Sequence, residues 1–370
     1  MSGSRVRLEV DMGAFSGNIS LLCRRVAPCS AVAVLKANAY GTGARVMADA
    51  VCRSGVKQIA VANLPEALEL KETGAQIQIL GPLLPDEIGE AVLNDLHISV
   101  DGYASALEVS RKAVHLKKKA ICHLKIDTGM GRFGMAAEDA GPEIRRIVAL
   151  PGLNVTGIFT HLSSADTPGN EFTAGQLQRF VRLLTFLQGE GIVFQNIHAA
   201  ASNGIVFYPE SFARHFTTVR CGIVMYGCKK NHREMCEGLR PVLSLKSVLG
   251  AVRHLKAGDF VGYGHTWRSG TSALVGVVLA GYEDGIPLAL SNQGYVLVRG
   301  VRCPVIGRVC MDCMMIDLKN VPDPRPGDEV VCVGKDGSQE ISFEDWAKLK
   351  NTHVHDILCG VGNRVERCYI

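Results

Sequence analysis

From Arg5 to about Val224, short β-branched runs alternate with stretches of helical period. Arg5-Val6-Arg7-Leu8-Glu9-Val10 alternates apolar and polar residues, and Phe15, Ile19, Leu22 and Val26 then line one helix face. Ala31 to Leu35 and Ile59 to Ala62 are continuous apolar runs with a helical stretch, Ala44 to Arg53, between them. The same rhythm returns at Ile77 to Leu80, His97 to Val100, Ile121 to Ile126, Val155 to Thr160, Ile197 to Ala200 and Val219 to Val224. Apolar strands separated by helices predict a parallel sheet covered on both faces, and about eight repeats favour a closed (β/α)8 barrel of the TIM type.

The pattern changes near Gly238. Short runs bounded by Gly, Pro, Asn and Asp follow at Leu243 to Val252, Asp259 to Tyr263, Ala273 to Leu279, Tyr295 to Val298 and Glu329 to Val333, with one helix expected at Phe343 to Leu349. Such spacing predicts a mostly antiparallel β domain. The expected division is therefore 1–237 for the barrel and 238–370 for the β domain. A barrel of about 250 residues leaves roughly 120 of the 370 for that second domain.

Composition removes several function classes. With 47% hydrophobic residues and a net charge of +4, the chain is too apolar for disorder and has no dense basic run for nucleic acid. It shows neither a signal-peptide h-region nor the ~18 apolar residues of a membrane span, so a cytoplasmic location is expected. Met1 to Ser4 is compatible with a remnant of cloning, in which case the natural chain begins further upstream. Thirteen scattered cysteines read as free thiols in a reducing compartment. The pair Cys310-Met311-Asp312-Cys313 has no second pair or histidines nearby to make a zinc site, and no metal is expected.

Polar residues fall where barrel strands end, which is where such barrels carry their chemistry. Lys36 ends a wholly apolar run, a position that suits either a Schiff-base lysine or a lysine whose amine reaches out to solvent. Arg132 closes Lys125-Ile126-Asp127-Thr128-Gly129-Met130-Gly131-Arg132, where two glycines let the backbone approach a ligand and the guanidinium offers a fork for a carboxylate or a phenolate. His161, Ser202 and Arg220 sit at three further strand ends.

These residues resemble a known family. Val34-Leu35-Lys36-Ala37-Asn38-Ala39-Tyr40-Gly41 looks like the cofactor-attachment signature of the alanine racemases. The likeness continues through Lys125 to Arg132, His161-Leu162, Arg220 to Gly227, Val261 to Gly264, Gly281 to Gly285 and Gly307 to Asp312. It implies pyridoxal 5'-phosphate as cofactor, a barrel followed by a β domain, and a homodimer in which each subunit completes the other's site. By resemblance, Lys36 would hold the cofactor as a Schiff base and act as one base, with Tyr263 of the partner subunit as the base on the opposite face. Arg220 would face the pyridine nitrogen and His161 would bridge Arg220 to the partner's Tyr263. Tyr40, Ser202 and the N–H groups of Gly222 and Ile223 would hold the phosphate. Arg132 and the partner's Met311 would bind the substrate carboxylate, Lys125 would orient Arg132 and is carbamylated in some family members, and Tyr282 and Asp312 would line the entrance.

One segment departs from the family pattern. Gly362-Asn363-Arg364-Val365 places Asn363 where a tyrosine is usual, and Ala201 stands where asparagine is common. The smaller amide offers both a donor and an acceptor, which shifts the expected substrate range from alanine towards serine, as in the serine/alanine racemases of vancomycin-resistance systems. In such a system the chain would be the cytoplasmic part of a membrane-anchored protein, and in bacteria the D-amino acid would supply peptidoglycan precursors. Competing readings are an alanine-only or broad-specificity racemase, a decarboxylase of the same architecture, a non-catalytic pyridoxal-carrying barrel, and an unrelated barrel enzyme acting on phosphorylated metabolites.

Overall fold

A computed structural model describes residues 4–227 and 234–370, so Met1 to Gly3 of the possible cloning remnant lie outside the described residues. The chain divides into two compact units, one made of residues 16–39 and 44–239, the other of 1–15, 40–43 and 240–370.

The first unit is the barrel. Its strands are preceded in the chain by β1 (Val6–Val10) and run β2 (Ser30–Val34), β3 (Gln58–Val61), β4 (Gln76–Ile79), β5 (His97–Val100), β6 (Ala120–Asp127), the two-residue β7 (Met135–Ala136), β8 (Leu153–Phe159), β9 (Asn196–His198) and β10 (Thr218–Cys221). Parallel pairing runs in the order β10, β2, β3, β4, β5, β6, β8, β9, with β7 set beside β6. Backbone bonds from Thr217 to Ile197 (3.0 Å) and from Arg220 to Ala200 (3.0 Å) close β9 onto β10. Helices between the strands cover the outside with amphipathic faces. Ala44–Arg53, for example, buries Ala44, Met47, Ala48, Ala50 and Val51.

The second unit is a mostly antiparallel sheet. Its remaining strands are β11 (Leu243–Leu255), β12 (Phe260–Val261), β13 (Trp267–Arg268), β14 (Ala273–Val278), β15 (Tyr295–Val298), β16 (Val301–Pro304), β17 (Met314–Asp317), β18 (Glu329–Asp336), β19 (Gln339–Ile341) and β20 (Glu366–Tyr369). The main path is β16, β15, β18, β11, β1, β20, with β14 and β17 continuing from β11.

The run at Val6–Val10, expected to open the barrel, belongs to this second sheet. It lies antiparallel to β11 and parallel to β20. The physical reason is its period. Val6, Leu8 and Val10 are buried while Arg7 and Glu9 face outward, a one-sided strand, whereas the barrel strand β5 is buried at every position. Outward-facing Arg7, Glu9, Lys246 and Glu329 form an ion cluster across β1, β11 and β18, with Lys246 to Glu9 at 2.9 Å and Arg7 to Glu9 at 2.9 Å. No disulfide joins the described cysteines. Among the described residues no helix is long and apolar enough to cross a membrane, and no group of three His, Cys, Asp or Glu side chains could hold a metal ion.

Candidate active site

Lys36 follows β2 at the start of a short turn in which Ala37, Asn38, Ala39 and Tyr40 all have φ between +52° and +59°, with Gly41 at +80°. A left-handed turn of non-glycine residues costs about 1–2 kcal/mol for each residue, so it persists only where neighbours impose it. Glu66 accepts the Ala37 N–H through one oxygen and the Ala62 N–H through the other, each at 2.8 Å. Asn38 Oδ1 accepts the Ala44 N–H at 2.7 Å, and Tyr226 Oη donates to the Ala39 carbonyl at 2.9 Å. The turn lets the strand stop abruptly and leaves Lys36 exposed at the barrel mouth.

Arg220, on β10, is buried with 3% of its surface accessible, and its hydrogen-bond partners among the described residues all accept from it. Nη2 donates to the carbonyls of Thr160 (2.8 Å) and Ala199 (3.0 Å) and to His161 Nδ1 (3.3 Å), while Nη1 donates to His198 Nδ1 (2.7 Å) and the His198 carbonyl (3.3 Å). Burial lowers its pKa to about 10, which leaves it a full cation at neutral pH. Burial, with Arg220, Arg132, Lys36 and Lys125 adding to it, pulls His161 down to about 3. His161 is therefore neutral and, since its Nδ1 accepts from Arg220, it carries its proton on Nε2.

Lys125, two residues from the end of β6, is 8% accessible. Its amine donates to the Leu80 carbonyl at 3.3 Å and sits 5.0 Å and 5.6 Å from the ring centres of Phe133 and Phe159. Burial, helped by Arg132 and Arg220 and opposed by Asp101, lowers it to about 8. Beyond β6, the Asp127 carboxylate accepts the N–H groups of Gly129 (2.8 Å), Met130 (2.7 Å) and Gly131 (2.9 Å), and the resulting loop presents Arg132 exposed. Gly129 and Gly131 take φ of +128° and +67°, conformations that side-chain-bearing residues rarely adopt. A groove of about 480 Å³ on this loop is lined by Asp127, Thr128, Gly129, Phe172 and Arg179, and contains none of Lys36, His161, Ser202 or Arg220.

After β9, Ser202 Oγ accepts the N–H groups of Gly222 and Val224, each at 3.2 Å, on either side of Ile223. The hydroxyl proton is then available to donate. The sequence-predicted barrel residues Lys36, Lys125, Arg132, His161, Ser202, Arg220, Gly222 and Ile223 thus all lie at strand ends of one mouth, and four of them are cations. A mouth carrying Lys36, Lys125, Arg132 and Arg220 around a neutral histidine, with a serine and backbone N–H groups beside it, fits an anionic ligand that brings both a phosphate and a carboxylate.

The second unit assembles its own group. Tyr263, 70% accessible, lies in a turn between Gly262 and Gly264, both at positive φ. Tyr282 and Glu283 donate their N–H groups to the carbonyls of Cys310 (3.0 Å) and Met311 (3.1 Å). Gly281 permits that approach, because a Cβ there would lie 2.2 Å from the Met311 carbonyl oxygen. The loop at Gly362 presses equally close to Glu283, and Arg364 beside it ties the group together. Its guanidinium is bidentate to the buried Asp284 (2.7 and 2.9 Å) and reaches Asp312 at 2.7 Å. Asn363 is exposed on this loop and Met311 is half exposed. Tyr40 falls with this unit, buried with its ring edge-on to His355 at 5.6 Å.

Sequence reasoning missed Glu66, His198, Asp284 and Arg364. For His198 the available signal is a histidine inside an apolar strand run; for Arg364 and Asp284 nothing in the local pattern singles them out.

Comparison with known proteins places this geometry. Residues 10–230 match the family model "Alanine racemase, N-terminal domain" and residues 242–369 match "Alanine racemase, C-terminal domain". The alanine racemase of Symbiobacterium thermophilum is 38% identical over 368 residues, covering 98% of this chain and 96% of that protein. A crystal structure of alanine racemase from D-cycloserine-producing Streptomyces lavendulae superposes with a TM-score of 0.91 at 34% identity, covering 100% of this chain and 98% of the other. Another, from Bartonella henselae, carries covalently bound pyridoxal phosphate and superposes with a TM-score of 0.90 at 26% identity over the whole of both chains. With both family domains matched in order over nearly its whole length, the chain belongs to the alanine racemase family.

Proposed function

We propose that this chain is a pyridoxal-phosphate-dependent racemase that interconverts the L and D isomers of alanine, and of serine, by two bases acting from opposite faces in a homodimer. The observation that carries the reading is Arg220, a buried cation held by three carbonyls and two histidines and, among the described residues, with no acid as partner. Pyridoxal phosphate, when bound, supplies the electron sink for the carbanion at the substrate α-carbon. Arg220 would sit at the ring nitrogen and, as a guanidinium that does not give up its proton, would not protonate it, which would disfavour side reactions such as transamination. A decarboxylase of this architecture would be expected to place an acid there.

The other roles follow from the donor set. Lys36 provides the amine for covalent attachment and the base on one face, and its left-handed turn sets the amine's position. Ser202, with Gly222, Ile223 and Tyr40, holds the phosphate; Arg132, in the dimer with the partner's Met311, binds the carboxylate. Lys125, lowered to about 8, has a neutral amine fraction large enough near that pH to react with carbon dioxide, and the resulting carbamate would orient Arg132. On the opposite face the partner's Tyr263 takes or returns the proton, and His161 Nε2–H donates to its oxygen, lowering the cost of ionising the phenol. The high exposure of Tyr263 and Met311 supports their facing another subunit. Tyr282 and Asp312 line the entrance, and Asn363, smaller than tyrosine, leaves room and hydrogen-bonding capacity for a serine hydroxyl.

Purified protein should be yellow, and borohydride should fix the cofactor to Lys36. Tyr263→Phe should abolish α-proton exchange mainly from the L isomer and Lys36→Ala mainly from the D isomer; equal loss from both isomers in each variant, with cofactor still bound, contradicts the two-base assignment. Turnover on alanine, serine, lysine and arginine tests the substrate. Negligible serine turnover, or an Asn363→Tyr variant with full serine turnover, rejects the role given to Asn363.

A further inference from the structure

Inside the barrel, three histidines from three strands form a continuous line that ends on Arg220. His97, the first residue of β5, has Nδ1 3.3 Å from His123 Nε2 on β6; His123 Nδ1 is 3.4 Å from His198 Nε2 on β9; and His198 Nδ1 is 2.7 Å from Arg220 Nη1. All three rings are buried, at 9%, 2% and 0% accessibility. The line runs from the start of β5, away from the strand ends that carry the site, up to the mouth.

A guanidinium has only donors, so the contact with Arg220 forces His198 Nδ1 to accept. A neutral His198 must then carry its proton on Nε2 and donate it to His123 Nδ1. The same rule passes down the line: His123 carries its proton on Nε2 and donates to His97 Nδ1. One cation at the mouth thereby dictates the tautomer of three rings. Burial lowers all three pKa values, His123 to about 3, which agrees with uncharged rings throughout.

The packing is built to hold these rings. Phe159 stacks on His198 with centroids 4.9 Å apart and planes within 6°. Gly157 on β8 leaves the space that the His123 ring fills, since a Cβ there would lie 2.5 Å from His123 Nδ1.

We infer that His123 and His97 are positioning residues for Arg220: through a one-way chain of neutral rings they hold His198 in the only tautomer that can accept from the guanidinium, and so fix its direction towards the cofactor. This rests on the reading that Arg220 faces the cofactor's ring nitrogen. If His123 loses its acceptor, His198 Nε2–H is left buried without one, and the ring relaxes by turning away from Arg220 or by changing tautomer.

The test uses holoenzyme labelled with 15N-histidine, each ring assigned by single variants. In the parent, His97, His123 and His198 should all show a protonated, pyrrole-like Nε2 and an unprotonated Nδ1. His123→Leu should disturb the His198 signals and lower kcat about tenfold, with KM for alanine within twofold of the parent. At the far end, His97→Leu should shift the His123 and His198 signals and lower kcat about threefold, whereas His97→Asn, whose Oδ1 can accept where Nδ1 did, should restore both. An imidazolium or a protonated Nδ1 at any of the three overturns the inference, as does an equal kcat loss in His97→Leu and His97→Asn. Arg220→Lys separates the two readings. If it leaves kcat and the cofactor's absorption unchanged, the assignment of Arg220 fails, while the ring signals still decide whether the chain exists.

Discussion

Lys125 allows a quantitative check of the electrostatics at the barrel mouth. The residue is 8% accessible and its pKa falls from 10.5 to about 8, chiefly through burial and then through Arg132 and Arg220. The folded state therefore binds this proton less tightly than the unfolded chain does. Below pH 8 both states are protonated and the full penalty of a buried charge is present. Between 8 and 10.5 the folded state releases its proton first, so stability rises with pH through that window. The fall from 10.5 to about 8 corresponds to about 3 kcal/mol, of which roughly 2.5 should be recovered between pH 7 and pH 10. Lys125→Met keeps the length and fills the space against Phe133 and Phe159 without a charge. Urea unfolding of cofactor-free protein in carbonate-free buffer, at pH 7, 8, 9 and 10, should show the variant gaining on the parent as pH falls, with the two curves converging by about 2–3 kcal/mol at the alkaline end. The comparison cancels other groups that titrate there, the thiols included. Parallel curves would refute the assignment of a destabilising buried ammonium to this position.

The histidines should show the same sign of pH dependence in a more acidic window. His161 and His123 have folded pKa values of about 3 against 6.5 unfolded, so their contribution is complete above 6.5 and is lost as pH falls towards 3; in His161→Gln the slope of stability against pH in that range should drop by up to about 1.4 kcal/mol per pH unit, measured by urea unfolding. Gly281→Ala would place a Cβ 2.2 Å from the Met311 carbonyl oxygen, so the Tyr282 and Met311 loops must separate; a loss of about 2 kcal/mol in unfolding free energy and a raised KM for alanine are expected. Arg364→Lys keeps the charge but cannot serve both oxygens of Asp284 and reach Asp312 as well, so KM for alanine should rise several-fold and the melting temperature should fall.

Much of the barrel is legible because its strands are short, apolar and regularly separated by helices, and because Lys36, Arg132, His161, Ser202 and Arg220 stand where those runs stop. The position of β1 is decided by pairing partners more than 230 residues away: Val6 lies opposite Ser247. Its alternating pattern was the local clue to a one-sided sheet, but its place before a helix made it resemble the first turn of the barrel rhythm. In the β domain, β16, β17, β19 and β20 and the helix Val354–Cys359 escape sequence reading, because three- and four-residue strands and a six-residue helix carry too few periods to stand out.

By itself the sequence determined which side chains are available and at which strand ends they emerge, along with the domain order and the family signature. Only the tertiary structure decided how those side chains are protonated. His97, His123, His198 and Arg220 are separated by 26, 75 and 22 residues along the chain, and closure of the barrel brings them into hydrogen-bonding contact. Likewise, the left-handed turn after Lys36 depends on Glu66, 29 residues beyond Ala37, and on Tyr226, 187 residues beyond Ala39. Burial and charge proximity set pKa values and tautomers, and both are properties of distances through space that no local run of residues contains.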